Sequence, residues 1–211
     1  GIVAAGSENN NLYFYDFFGT QLWIWPLGNP VVSVAMDNEG RFTAAGTRSS
    51  MLPVGSLTLI DNSNWMQLWS YSLPVSTSYD GGFAGTESKS VDVKYNSYNA
   101  CAVVAAATDW GLWLFDQYGQ LIWYYTDQSP ETIVRISQDG NTIVCADYNS
   151  MTLHYFSHLR DGVPGWGPND GIPVWSFGGW MDQFAVYWTA ISGLGDYVAV
   201  SGWFEPFPPG Q

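Results

Sequence analysis

The sequence predicts an all-β fold made of short antiparallel strands in a repeated four-strand unit. Three observations predict it. Apolar and polar residues alternate over short runs, and no useful stretch carries a helical 3.6-residue period. Gly, Asn, Asp and Pro bound nearly every run. One motif recurs along the chain: QLWIW at 21–25, QLWSY at 67–71, QLIWYY at 120–125 and, more loosely, IPVWSF at 172–177.

The elements follow in order. IVAAG, from Ile2 to Gly6, reads as a strand and is followed by the polar turn SENNN. An alternating strand then runs from Leu12 to Asp16, and a turn at Gly19 leads into the QLW strand. The same order returns from FTAAGT, from VVAAATDWGLWLFD and from IVCADYNSMTLHYFS. Before these three units lies another strand, in VVSVAMDNEG (31–40), SVDVKYNSYN (90–99) and TIVRISQDG (132–140), each closed by a polar hairpin turn. A last pair of this kind occupies 185–203. Pro26, Pro30, Pro74, Pro130 and Pro173 fall at connections, where a missing N–H does no harm to a ladder.

One unit is therefore strand a, hairpin, strand b, loop, strand c, turn, strand d with its Trp. Gly6, Gly46, Ala107, Asp147 and Gly202 are expected at equivalent positions, with spacings of 40, 61, 40 and 55 by subtraction. Four strands per unit at a period of roughly 40–50 residues predict a β-propeller. We expect about four blades of four antiparallel strands with incomplete terminal blades, over residues 1–204, followed by an extended Pro-rich tail at 205–211.

The run LWLFDQYGQLIWYY…TIVRISQDGNTIVCAD resembles the repeats of quinoprotein-like (PQQ-like) and WD40-like propellers, from Ile2 to about Trp203. The Gly-His … Trp-Asp signature of WD40 repeats is missing. Asp16, Asp61 and Asp116 instead stand seven or eight residues before the Trp, as in the quinoprotein-like kind. The resemblance implies the fold and says little of function, because such repeats serve enzymes, scaffolds and surface proteins alike. For a PQQ-dependent enzyme it would imply a calcium site, a catalytic Asp and adjacent cysteines. Cys101 and Cys145 are not adjacent, and the chain is short for such an enzyme.

Counting gives three strands in the first unit, twelve in three full units and two in the last, 17 in all. The last strand a could pair with the first strand b and close a four-bladed ring, leaving YVAVSGW over. Alternatively there are five positions and the array is open. Either way an edge strand is exposed, and exposed edges pair with other chains. Ile2, Val3, Tyr197, Val198, Val200 and Trp203 are the candidate edge residues.

Composition bounds the function. The chain has 211 residues, enough for one large all-β domain with a substantial core. Its net charge is −13, with 6 basic residues against 19 acidic ones. That excludes a phosphate-binding stripe, and with it nucleic acid as a partner, and it disfavours docking on an anionic membrane. No 18-residue apolar run predicts a membrane-inserted helix. No signal peptide or initiator Met is present, so we expect a mature product or a segment of something longer. Cys101 and Cys145 lie in apolar strands and are expected as thiols in preference to a disulfide.

The repeated Trp23, Trp69, Trp123 and Trp175 could stack a ligand, but their period favours a structural role between blades. Trp65, Trp110, Trp166, Trp180 and Trp203 lie near turns or loops and are the better partner or ligand candidates. Asp161, Asn169 and Asp170, in the loop DGVPGWGPNDG, offer oxygen ligands for Ca²⁺ without matching a known spacing. No cofactor is otherwise expected. His154 and His158 join no nucleophile motif, and Asp37, Asp139 and Asp196 belong to hairpin turns, so no catalytic residue is assigned.

The expected function is non-enzymatic: an extracellular or cell-surface structural protein whose copies form a homo-oligomer, fibre or array. Scarce Lys, Asn/Ser/Gly- and aromatic-rich loops and unfinished terminal units support it. The alternative is a lectin-like propeller that binds glycans or another ligand through loop aromatics. A third reading is a fragment of a larger quinoprotein-like enzyme.

Overall fold

A computed structural model describes residues 1–48, 55–73, 76–77, 83–84, 88–96, 100–109, 111–126, 131–147, 152–157, 171–178 and 184–204. Among these the chain is all-β, without a helix. The first sheet is β1 (Ile2–Gly6), β2 (Asn11–Asp16) and β3 (Gln21–Pro26). The second is β4 (Val31–Met36), β5 (Phe42–Thr47), β6 (Ser56–Asp61) and β7 (Met66–Ser72). A small hairpin, β8 (Ser76–Thr77) and β9 (Phe83–Ala84), follows. The third sheet is β10 (Ser88–Asn96), β11 (Cys101–Thr108), β12 (Gly111–Asp116) and β13 (Leu121–Tyr125). The fourth is β14 (Glu131–Ile136), β15 (Thr142–Asp147), β16 (Thr152–Ser157) and β17 (Trp175–Gly178). The fifth has β18 (Phe184–Ile191) and β19 (Val198–Phe204).

Each sheet is an antiparallel meander in chain order. Setting β8–β9 aside, the described strands group as 3, 4, 4, 4 and 2. Among the described residues β18 pairs with β19 and not with β1, so of the two arrangements expected the closing pair is not formed, and the sheets occupy five positions.

A bulge recurs early in the first strand of four sheets, at Val31/Ser33, Ser88/Ser90, Glu131/Ile133 and Val186/Trp188. It corrects the expected equivalences. Gly46, Ala107, Ala146 and Ser201 share one register position, opposite Ser33, Ser90, Ile133 and Trp188. Asp147 and Gly202 are each one residue beyond that position, level with Thr47 and Thr108, which stand opposite the residue on the far side of the same bulge.

The sheets stack in series, with an apolar core at each contact. Leu12 and Phe14 meet Val31 and Ile60 of the second sheet. Leu57 and Leu59 meet Val91 and Phe115 of the third. Leu112 and Leu114 meet Val134 and Phe156 of the fourth. Leu153 meets Val186 of the fifth. β2, β6, β12 and β16 thus each send one alternating face forward, onto the next sheet, and the other backward, as period-two side chains must. Small residues fill the middle strands, which are sandwiched on both faces: β11 is buried from Ala102 to Thr108 and β15 throughout.

The inner strands are also stitched by hydrogen bonds. Val91 N donates to Ser33 Oγ (2.9 Å), and Val134 N donates to Ser90 Oγ (3.3 Å). Ile136 N donates to Asp92 Oδ2 at 2.8 Å. The hairpin aspartates serve the backbone as expected, since Asp37 Oδ1 accepts from Phe42 N and Asp139 Oδ1 from Asn141 N.

Candidate assembly faces at the two ends of the array

Alternation places the Trp of strand d and the aromatic two residues later on one face, directed at the next sheet. In β7, Trp69 and Tyr71 both contact Phe115 of β12, at ring-centroid distances of 5.6 and 4.7 Å. In β13, Trp123 and Tyr125 both contact Phe156 of β16, at 5.2 Å each. The second clamp residue also meets the aromatic residue two positions earlier on the gripped strand. Tyr71 lies 6.3 Å from Trp113, and Tyr125 lies 5.0 Å from His154. A two-ring clamp therefore receives a two-ring tongue at both of these joints.

The first sheet meets the second differently. There the tongue positions hold Thr58 and Ile60, which are not aromatic. Trp23 stacks instead on Trp65 (6.1 Å), which takes a left-handed φ of 50° in its turn and also abuts Phe14 edge-on at 5.1 Å. Trp65, a partner candidate on sequence grounds, is thus an internal packing residue.

At the ends the same parts stand apart. On β17, Trp175 and Phe177 occupy the clamp positions, opposite Tyr155 and Leu153. They are 40% and 61% exposed, because the fifth sheet has no third strand among the described residues. Trp175 instead stacks on Tyr155 of its own sheet at 4.9 Å. On β2, Tyr13 and Tyr15 occupy the tongue positions, on the face turned away from the second sheet. Their rings lie 6.4 Å apart at 22°. Val3 shares this face, opposite Tyr15, and is 55% exposed.

The phenol oxygen of Tyr13 accepts hydrogen bonds from the Asn9 and Asn11 amides at 2.6 and 3.4 Å. Donation by Asn9, then by Asn11, favours the phenolate and lowers the Tyr13 pKa below the ordinary tyrosine value.

The candidate edge residues divide. Ile2 and Val198 are half-buried against neighbouring sheets, whereas Val3, Tyr197 and Val200 are exposed. Trp203 lies on β19, opposite Ala185. Within the described residues β1 pairs only with β2, and β19 only with β18, so each keeps one open ladder edge. Of the repeated Trp residues, those at positions 69 and 123 sit between sheets. At positions 23 and 175 they are half-exposed. Trp110, Trp166, Trp180, Asp161, Asn169, Asp170, His158 and the 205–211 tail lie outside the described residues. Sequence reasoning missed the tongue. Its signal was present, since Tyr13 and Tyr15 are as alternate as Trp113 and Phe115, but only the register shows which face they share.

A cleft of about 480 Å³ opens where β4, β10, β14 and β18 converge. Two of the six basic residues stand in it. Lys89 pairs with Asp109 at 2.7 Å, and the Arg135 guanidinium lies 4.9 Å above the Trp188 ring. Arg135 donates to Val134 O at 2.7 Å, and no carboxylate among the described residues pairs with it. His154, far from exposed, is buried with Nδ1 2.8 Å from Ser176 Oγ.

Cys101 and Cys145 are not joined by a disulfide; Cys145 is buried and Cys101 half-buried. Burial, helped by the charge on Asp116, pushes the Cys101 thiol above the ordinary cysteine range. Among the described residues no three His, Cys, Asp or Glu side chains converge as a metal site.

No family model matches the chain, and no curated protein matches it.

Proposed function

We propose that this chain is a propeller-type structural protein that performs no chemistry. On this reading it serves as the repeating unit of an extracellular or cell-surface fibre or array. One observation carries the reading. Strands of one sequence type, such as IVAAG, FTAAGT, VVAAAT and VAVSGW, are covered on both faces in the middle of the array, but at one end β1 is bare on one face and at the other β19 is bare from Ala199 to Gly202. A strand built for sandwiching and left half-covered presents an apolar patch and an open ladder edge together, which is a site for another chain. Few loop lysines and many Asn, Ser and aromatic residues agree with an exposed, heavily contacted protein.

The test is light scattering on the purified chain over a concentration series at neutral pH. Mass should rise with concentration into polymers. A monodisperse monomer up to about millimolar concentration overturns the reading.

The Arg135–Trp188 cleft favours a second reading, a ligand-binding propeller for a small carboxylate or acidic sugar. Trp188 fluorescence should then change on titration with glucuronate. An unchanged spectrum, with no heat in calorimetry, removes it.

A further inference from the structure

The chain carries a complete set of parts for one more joint of the kind it already makes internally, with the two halves at opposite ends. The clamp Trp175/Phe177 corresponds by register to Trp69/Tyr71 and Trp123/Tyr125. The tongue Tyr13/Tyr15 corresponds to Trp113/Phe115 and His154/Phe156. We propose that copies of this chain join head to tail, with Tyr13 and Tyr15 of one copy inserted against Trp175 and Phe177 of the next. This rests on the self-assembly reading above and names its joint.

Three arguments select a second copy as the occupant. The two end surfaces hold, by register, the two halves of an interface that the chain forms twice internally. The first sheet packs on the second, and no comparable packing joins it to the fourth or fifth among the described residues, so one chain does not satisfy both halves. The two faces also differ from each other. A contact between unlike faces is heterologous, and it propagates as a filament or large ring instead of stopping at a dimer.

Strand count sets how the joint forms. The tongue reaches the clamp only as the third strand of the sheet that begins with β18. That sheet has room for one second strand, and β1 and β19 are both of that kind. β1 keeps Ile2 and Ala4 against the second sheet, while β19 is bare from Ala199 to Gly202. β19 therefore yields, and the shared sheet runs β18, β1, β2, β3, one strand from one copy and three from the next. This is strand exchange, with main-chain hydrogen bonds supplying affinity and the aromatic pocket supplying register.

The experiment uses full-length chains carrying Cys101→Ser. One variant adds Tyr13→Cys and the other Phe177→Cys, the pair whose internal counterparts lie 5.0 and 6.3 Å apart. Under mild oxidation a disulfide-linked dimer should form only when the two are mixed. A chain carrying both substitutions should give a ladder. Val200→Pro, which weakens β19 in its ladder with Thr189, should speed assembly several-fold. An internally linked monomer from the double variant overturns the proposal in favour of ring closure within one chain. Polymers without cross-links, or polymers abolished by Val200→Pro, overturn this joint while leaving self-assembly standing. Only a chain that stays monomeric removes self-assembly itself.

Discussion

Trp123 and Trp23 occupy the same place in the same motif, yet Trp123 is 5% exposed and Trp23 46%. The difference lies in what the next sheet offers: Phe156 seals the first, while the Thr58/Ile60 strand leaves the second to Trp65. Trp123→Ala should therefore cost about 3–5 kcal/mol in denaturant unfolding, as a large core truncation does, and Trp23→Ala about 1–2 kcal/mol. Equal costs would mean that the motif, and not its surroundings, sets the energy. Cys101 gives a second test at this scale. Its raised pKa means that thiol-reactive probes should label it slowly at neutral pH, with the rate rising only above the pH at which an exposed cysteine is already reactive. The sign for stability follows. The folded thiol holds its proton more tightly than the unfolded one. Its contribution is thus full below the unfolded pKa and is lost as pH rises through the folded pKa.

At the scale of elements, the turn from β2 to β3 and from β12 to β13, between strands c and d of the unit, repeats an Asp-x-x-Gly device. Asp16 Oδ1 accepts from Phe18 N and Thr20 N, and Asp116 Oδ1 from Tyr118 N and Gln120 N, all at 2.8 Å. Gly19 and Gly119 then take left-handed φ values of 82° and 81°. Their surroundings differ. A Cβ on Gly19 would meet nothing within 4 Å, whereas one on Gly119 would lie 2.8 Å from Trp69 Cγ. Trp69 reaches this turn from the preceding sheet and donates Nε1–H to Gln117 O at 3.0 Å. Gly19→Ala should cost about 1–2 kcal/mol from the backbone alone. Gly119→Ala should cost about 2–4 kcal/mol, because overpacking adds to it. Thermal unfolding of the two variants measures the gap. The turns were legible from spacing. The recurring bulges were not, since a skipped residue leaves the alternation on either side intact.

For the whole molecule, the −13 charge sets the conditions for any contact between copies. Like-charged surfaces repel over about 8–10 Å at physiological salt and over about 3 Å at 1 M. Raising salt from 0.05 to 0.5 M should therefore lower the concentration at which polymers appear, as read by light scattering at pH 7. A salt-independent onset would mean that the joint lies far from the acidic surface. Inside the molecule, Asp92 ties two sheets through Ile136 N and also holds Lys94 at 2.9 Å. Asp92→Ala removes the acceptor of Lys94 and of two main-chain donors, Ile136 N and Val93 N, in a buried place, and should cost about 3–5 kcal/mol.

The sequence by itself determined the strand content, the order of four kinds of strand and the grouping 3, 4, 4, 4 and 2. Those properties are local, written in alternation and turn residues within a few positions of each other. Tertiary structure alone decided the five sheet positions, the equivalence of Ala146 and Ser201 with Gly46, the pairing of clamp with tongue, and the meeting of Arg135 with Trp188. Each of these depends on register and on which neighbour a sheet has. A one-residue shift turns a side chain to the opposite face while barely disturbing the pattern from which a strand is recognised.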